Sequence, residues 1–240
     1  MSMRLDRLLS ELGAASRSEL RQIIRRGRVS VDGVVVTEPE RRVDPEGSEI
    51  RLDGELLTYR RFRYFMMDKP AGVLSVTEDR RQQTVLDLLP AELRRLGLFP
   101  VGRLDKDTSG LLLLTNDGDF AHRVISPKSG VEKRYRAEVA GVPDEEDARA
   151  FREGIVLADG TRCLPAALET TGESLCFVTV MEGKYHQVKR MLAARGKPVT
   201  ALRRLSVGAL ELPDSLGPGG LRELGPEDLC KVLKDLHVVK

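Results

Sequence analysis

The chain has 240 residues, 41% of them apolar and 4% aromatic with no Trp, and a formal net charge of +2. That length suits one large domain, or a small one joined to a medium one, with a core built from Leu, Val, Ile and Ala. No apolar run reaches the length of a membrane span, and Met1–Arg7 is charged and lacks the pattern of a signal peptide, so a cytoplasmic protein with no membrane contact is expected. The cysteines, Cys163, Cys176 and Cys230, are odd in number and lack metal-ligand spacing; buried free thiols are the expectation, with no disulfide framework and no metal site.

Leu5, Leu8, Leu9 and Leu12 recur at helical spacing, and Gly13 stops that helix. Ser16 opens a second helix with Glu19 three residues on, a capping box; Leu20, Ile23 and Ile24 form its apolar face and Gly27 ends it. Arg17, Arg21, Arg25 and Arg28 fall on another stripe of the helix and its exit, and Arg4 precedes the first helix. Such a stripe is either a phosphate-binding surface or an ordinary solvated face. A hairpin is predicted over Val29–Val36 with Asp32-Gly33 as its turn, and another over Ile50–Leu57 around Asp53-Gly54. Residues 39–49, rich in Pro, Glu, Asp and Gly, read as a loop. The basic run Arg60–Arg63 reads as a linker. This makes residues 1–59 a small domain and 64–240 a second one.

The second domain opens with a strand, Phe65-Met66-Met67, and a turn, Lys69–Gly72. A short helix is predicted over Thr84–Leu89, ended by Pro90. Leu111–Leu114 reads as a buried strand, and Asp119 as the cap of a helix through Ile125. Lys133–Ala140 alternates as a strand, and Pro143 stands at a helix start with acids behind it. Further strands are predicted over Ala166–Thr170, Leu175–Met181 and Leu205–Leu212, with helices over Tyr185–Ala194 and after Gly225-Pro226. Without βαβ regularity, this argues for an α+β fold with a mixed, largely antiparallel sheet and flanking helices.

Three segments can carry chemistry. Gly102–Gly110 sets Arg103, Asp105, Lys106, Asp107, Thr108 and Ser109 between glycines before the buried Leu strand. It is either a catalytic loop held by a rigid strand or a surface turn. In the second, Glu182–Leu192, Val188, Met191 and Leu192 share one helical face, and Lys189 lies at its edge, where it can bring a positive charge to an apolar cleft. His186 has no metal-ligand neighbour and reads as a structural or RNA-contacting residue rather than a general base. In the third, Tyr135 faces away from Arg134 and Arg136 on its strand; it is a platform for a nucleobase or an ordinary half-buried tyrosine.

Together these segments resemble the pseudouridine synthases, in the branch whose type member modifies small-subunit (16S) rRNA. Residues 3–59 look like the S4-type RNA-binding domain of that branch. Tyr64–Gly72 resembles its opening strand and Lys-Pro-x-Gly turn, Gly102–Asp105 its central motif, Lys133-Arg134-Tyr135 its Lys-x-Tyr motif, and Gly183–Met191 its third motif in the small-subunit form. Pro218-Gly219-Gly220-Leu221-Arg222 departs from the more usual Pro-Gly-Glu-Tyr-Arg.

The resemblance implies an isomerase that turns a uridine, uridine 516, into pseudouridine without a cofactor. It makes Asp105 the catalytic aspartate, Tyr135 the aromatic that packs on the uracil and Lys189 the partner of Asp105. Arg103 enters the RNA stack beside the flipped nucleotide, Val188 or Leu192 closes the pocket, and Arg4, Arg17, Arg21, Arg25 and Arg28 belong to the RNA-binding domain. The expected partner is 16S rRNA or a small-subunit assembly intermediate, met by a monomer. The rivals are a large-subunit (23S) enzyme of the same branch, a non-catalytic rRNA-binding assembly factor, and a glycosidase using the Asp105/Asp107 pair. The last needs two carboxylates at a defined separation and an aromatic-lined cleft, which this aromatic-poor chain lacks.

Overall fold

The computed structural model describes residues 2–233, so the extreme ends of the two expected domains, residue 1 and residues 234–240, lie outside it. The chain forms two compact units: Met1–Arg63 together with Leu89–Leu98, and Tyr64–Leu88 together with Phe99 onward. The return of Leu89–Leu98 to the first unit is not foreseen by the sequence. No helix among the described residues is long and apolar enough to cross a membrane.

In the first unit β1 (Met3–Arg4) leads into α1 (Leu5–Glu11) and α2 (Arg17–Arg25). The Glu19 carboxylate accepts from the Ser16 amide at 2.9 Å, as the capping box requires. Two hairpins follow, β2 (Val29–Val31) with β3 (Val34–Val36), and β5 (Ile50–Leu52) with β6 (Glu55–Leu57), in a sheet ordered β3-β2-β5-β6. Both turns put an Asp and a Gly at positive φ, which matches the twist of the strands. The expected loop 39–49 is not wholly irregular: β4 (Arg42–Val43) pairs with β1. Leu5, Leu8, Leu9, Leu20, Ile24 and the hairpin valines bury a common core. The short helix α3 (Ala91–Arg94) also belongs to this unit.

The second unit is organised by a nine-stranded sheet. Its strands are β7 (Tyr64–Lys69), β8 (Phe99–Pro100), β9 (Ser109–Thr115), β10 (Lys133–Val139), β11 (Ala167–Thr170), β12 (Leu175–Val180), β13 (Val199–Val207), β14 (Leu210–Glu211) and β15 (Leu221–Glu223). The main path runs β11-β12-β10-β13-β9-β7-β15, with β14 on β13 and β8 on β9. Every pairing is antiparallel except β13 with β9, which are parallel at Arg203–Ser109 and Arg204–Gly110. Helices α4 (Gly118–Ile125), α5 (Glu145–Glu153), α6 (Gln187–Ala194) and α7 (Pro226–Val232) complete the unit. The mixed, largely antiparallel sheet expected from the sequence is the one observed.

Several local expectations are corrected. Thr84–Leu89 is a turn, because the Thr84 amide and hydroxyl both donate to the Asp87 carboxylate, at 2.8 and 2.9 Å, and close the chain on itself. Helix α4 is capped by Asp117, whose carboxylate accepts from the amides of Asp119 and Phe120. The strand expected over Leu205–Leu212 starts at Val199 and breaks at Gly208 into the hairpin β13–β14. Cys163 and Cys176 are buried free thiols, but Cys230 is exposed on α7.

Candidate active site

The loop between β8 and β9 is fixed from below by a lysine. Lys69, at the end of β7, is fully buried, and its ammonium donates to the carbonyls of Pro70 (3.0 Å), Asp105 (3.2 Å), Lys106 (3.4 Å) and Thr108 (2.8 Å). Ser75 adds a second clamp, donating to the Leu104 carbonyl at 2.9 Å and accepting from the Leu104 amide at 3.1 Å. Gly110 then starts the buried run of β9. A Cβ there would stand 2.2 Å from the Arg204 carbonyl, so only glycine lets β9 and β13 approach in parallel. The carbonyls of Leu104, Asp105, Lys106 and Thr108 are thus bonded, while the side chains of Arg103 and Asp107 are exposed and that of Asp105 is half-buried.

Helix α6 comes to meet that loop. Val188, Met191 and Leu192 are buried, as their spacing predicts. The turn before the helix is built on Glu182, which is buried: it accepts from the Leu164 amide at 2.9 Å and from Gln187 Nε2 at 2.8 Å, and pairs with Lys184. His186 caps α6 in the left-handed region, φ 49°. From this frame Lys189 Nζ reaches Asp105 Oδ2 at 3.2 Å and Asp107 Oδ1 at 2.5 Å, and His186 Nε2 lies 3.3 Å from Asp105 Oδ1. Asp107 is therefore more than a turn residue. The bond from Lys189 outweighs desolvation and holds its carboxyl below the usual carboxylate range. Burial pulls the Lys189 ammonium down, but its bonds to Asp107 and Asp105 outweigh that and leave it above its ordinary value.

Tyr135 projects from β10 and is buried. Arg204, itself buried on β13, donates to the Leu111 carbonyl at 2.7 Å and to the Tyr135 hydroxyl at 3.4 Å. Arg103, Asp105, Tyr135, His186 and Val188 line one solvent-open cleft. Leu192 is fully buried and is not among the lining residues. The sequence thus foresaw a cleft acid, a cation at a helix edge and a strand tyrosine. It missed the supports Lys69, Ser75, Glu182 and Arg204. Lys69 did leave a signal: a lysine closing the run Phe65-Met66-Met67-Asp68 is either buried for a reason or ends the strand.

In the first unit the arginines divide. Asp6 is fully buried, and Arg4 (2.9 Å), Arg21 (3.3 Å) and Arg17 (3.8 Å) converge on its carboxylate. Burial raises the Asp6 pKa, but the bonds from Arg4 and Arg21 prevail and bring it below the ordinary range. Arg28 pairs with Asp53. Arg25 is exposed and has no ionic partner among the described residues.

The family model for RNA pseudouridylate synthase matches residues 63–194, more than half of the chain and all of the cleft loop, β10 and α6 up to its last residue. The chain belongs to that family. The S4 domain model matches residues 3–50 of this RNA pseudouridine synthase. The uncharacterized RNA pseudouridine synthase YtzG of Bacillus subtilis (strain 168) is 46% identical over 95% of this chain and 97% of its own length. The ribosomal small subunit pseudouridine synthase A of Vibrio cholerae is 41% identical over 97% of this chain and 100% of its own. A crystal structure of a pseudouridylate synthase superposes with a TM-score of 0.68 at 36% identity, covering 96% of this chain and 100% of that one. The enzyme therefore isomerises uridine in RNA.

Proposed function

We propose that this pseudouridine synthase acts on small-subunit (16S) rRNA, at uridine 516, with Asp105 as the reacting carboxylate. The observation that carries the catalytic part is the Asp105 carboxylate at the cleft, 3.2 Å from Lys189 Nζ, with Tyr135 and Val188 lining the same space. The site preference is supported by the names of the Vibrio cholerae relative and of a 40% identical relative from Pseudomonas aeruginosa, both called ribosomal small subunit pseudouridine synthase A. The run Tyr185-His186-Gln187-Val188-Lys189-Arg190 supports it too.

In the reaction the N1–C1′ bond of the uridine breaks, the uracil turns, and a C5–C1′ bond forms; C5 loses a proton and N1 gains one, so no redox partner enters. Asp105 acts as nucleophile at C1′ or as the base that takes the sugar proton once uracil has left. Lys189 keeps a positive charge 3.2 Å from it in a partly apolar site. Tyr135 stacks on the uracil and Val188 limits its motion. The target must leave its stack to enter, at a cost of a few kcal/mol, and Arg103 fills the gap. Residues 1–59 supply RNA affinity as an S4-type domain.

Chemical mapping of pseudouridine in both rRNAs, from cells with and without the gene, tests the substrate. The expected result is loss of the modification at 16S uridine 516 alone, restored by the wild-type gene. A loss confined to the large-subunit rRNA overturns the assignment.

A further inference from the structure

Tyr185 is 75% exposed, the most open large apolar or aromatic side chain among the described residues. In a chain with four tyrosines, six phenylalanines and no tryptophan, an aromatic ring left in water at the edge of a catalytic cleft calls for a reason. The ring is not loose. It lies on the imidazole of His186, centroids 3.8 Å apart and planes 18° from parallel. One face of Tyr185 is covered by that stack, so its exposure belongs to the opposite face and the edge.

His186 is itself held. Its backbone takes the left-handed conformation that non-glycine residues rarely adopt, and its carbonyl accepts from the Arg190 amide at 2.9 Å. Its Nε2 lies 3.3 Å from Asp105 Oδ1. A phenol ring, an imidazole and the Asp105 carboxylate thus form a continuous line from solvent to the cleft. The charges around it divide. Lys184, Lys189 and Arg190 are each bonded to carboxylates. Arg103 has no anionic partner among the described residues, and Lys106 donates to an amide oxygen of Gln82 at 2.8 Å. An open aromatic face stacked on His186, which lines the same cleft as Arg103, matches an unpaired nucleobase.

We propose that the stacked Tyr185–His186 pair is a platform for the RNA base that flanks the target uridine. The inference rests on the reading of the Asp105 cleft as the catalytic site. When a uridine leaves its stack, the neighbouring base loses a partner face. Tyr185 replaces that face, and His186 ties the replacement to the side of the cleft where Asp105 stands. Stacking of this kind tolerates any base, so it secures RNA that is already unpaired rather than reading its sequence.

The test uses the full-length enzyme and an RNA segment that the wild type modifies, with 2-aminopurine placed in turn at each nucleotide flanking the modified uridine. One flanking probe should be quenched on binding. Tyr185→Ala should abolish that quench and raise KM by roughly tenfold, while the saturating single-turnover rate stays near that of wild type. Tyr185→Phe, which keeps the ring and loses only the hydroxyl, should restore both. A Tyr185→Ala enzyme with wild-type quench and KM overturns the platform. The two readings fail separately: an active Asp105→Asn enzyme removes the catalytic assignment, and an unchanged Tyr185→Ala enzyme removes the platform.

Discussion

At the residue scale, the acid loop depends on one buried ammonium. Lys69 serves four carbonyls, three of them from Asp105, Lys106 and Thr108, so it holds the loop without touching the cleft. Burial pushes its pKa down to about 8, against an ordinary 10.5. The unfolded chain therefore keeps a proton through that window that the folded chain has lost, and stability contributed through Lys69 grows as pH rises from about 8 towards 10.5. Lys69→Met should cost on the order of 1.5–3 kcal/mol by leaving those carbonyls unpaired. It should also abolish this gain, so the stability gap between wild type and variant widens from pH 7 to pH 10 in urea melts. A gap that stays constant with pH contradicts the role given to Lys69. Asp107 adds a second, smaller effect of opposite window: its bond from Lys189 contributes at neutral pH and is lost as acid protonates it.

At the element scale, the site exists because β9 and β13 run parallel, the one parallel join in the sheet. Gly110 permits it. Gly110→Ala should destabilise the second unit by about 3 kcal/mol or more, since the new methyl group would meet backbone rather than a movable side chain. Thermal melting of the purified variant checks this, and a wild-type midpoint contradicts it. That join also marks how far the sequence could be read. The Asp-Gly hairpins, the Ser16/Glu19 capping box, the apolar face of α6 and the Leu run of β9 were legible because each is written in neighbouring residues. The start of β13 at Val199 was not, because Thr200 and Ala201 carry no strong alternation. Nor was the turn at Thr84–Leu89, where an Asp87 side chain competes with helical bonding that six residues before a proline cannot sustain. At the site, Asp105, Lys189 and Tyr135 stood out by residue type. Their supports did not, because Lys69, Glu182 and Arg204 matter only through partners distant in the chain.

At the scale of the whole molecule, a near-neutral chain contains arginines with different tasks. Arg4, Arg17 and Arg21 compensate the buried Asp6, so they are tied to the stability of the first unit. Arg25 is exposed without an ionic partner among the described residues and is available to phosphate. Arg25→Gln should therefore weaken RNA binding and lower the salt slope by about one, with an unchanged melting temperature. An Arg25→Gln protein whose salt slope equals that of wild type would remove Arg25 from the RNA surface. The basic run at residues 60–63, expected as a linker, is grouped with the first unit, and so is Leu89–Leu98, an excursion that nothing local in the sequence marks. Asp105 is proposed as the reacting carboxylate, and its charge can be removed in the full chain. Asp105→Asn keeps the size of the side chain and removes its charge, so single-turnover release of tritium from C5-labelled RNA should fall to background while RNA affinity stays at the wild-type value. Tritium release by Asp105→Asn at the wild-type rate would rule out Asp105 as the reacting carboxylate.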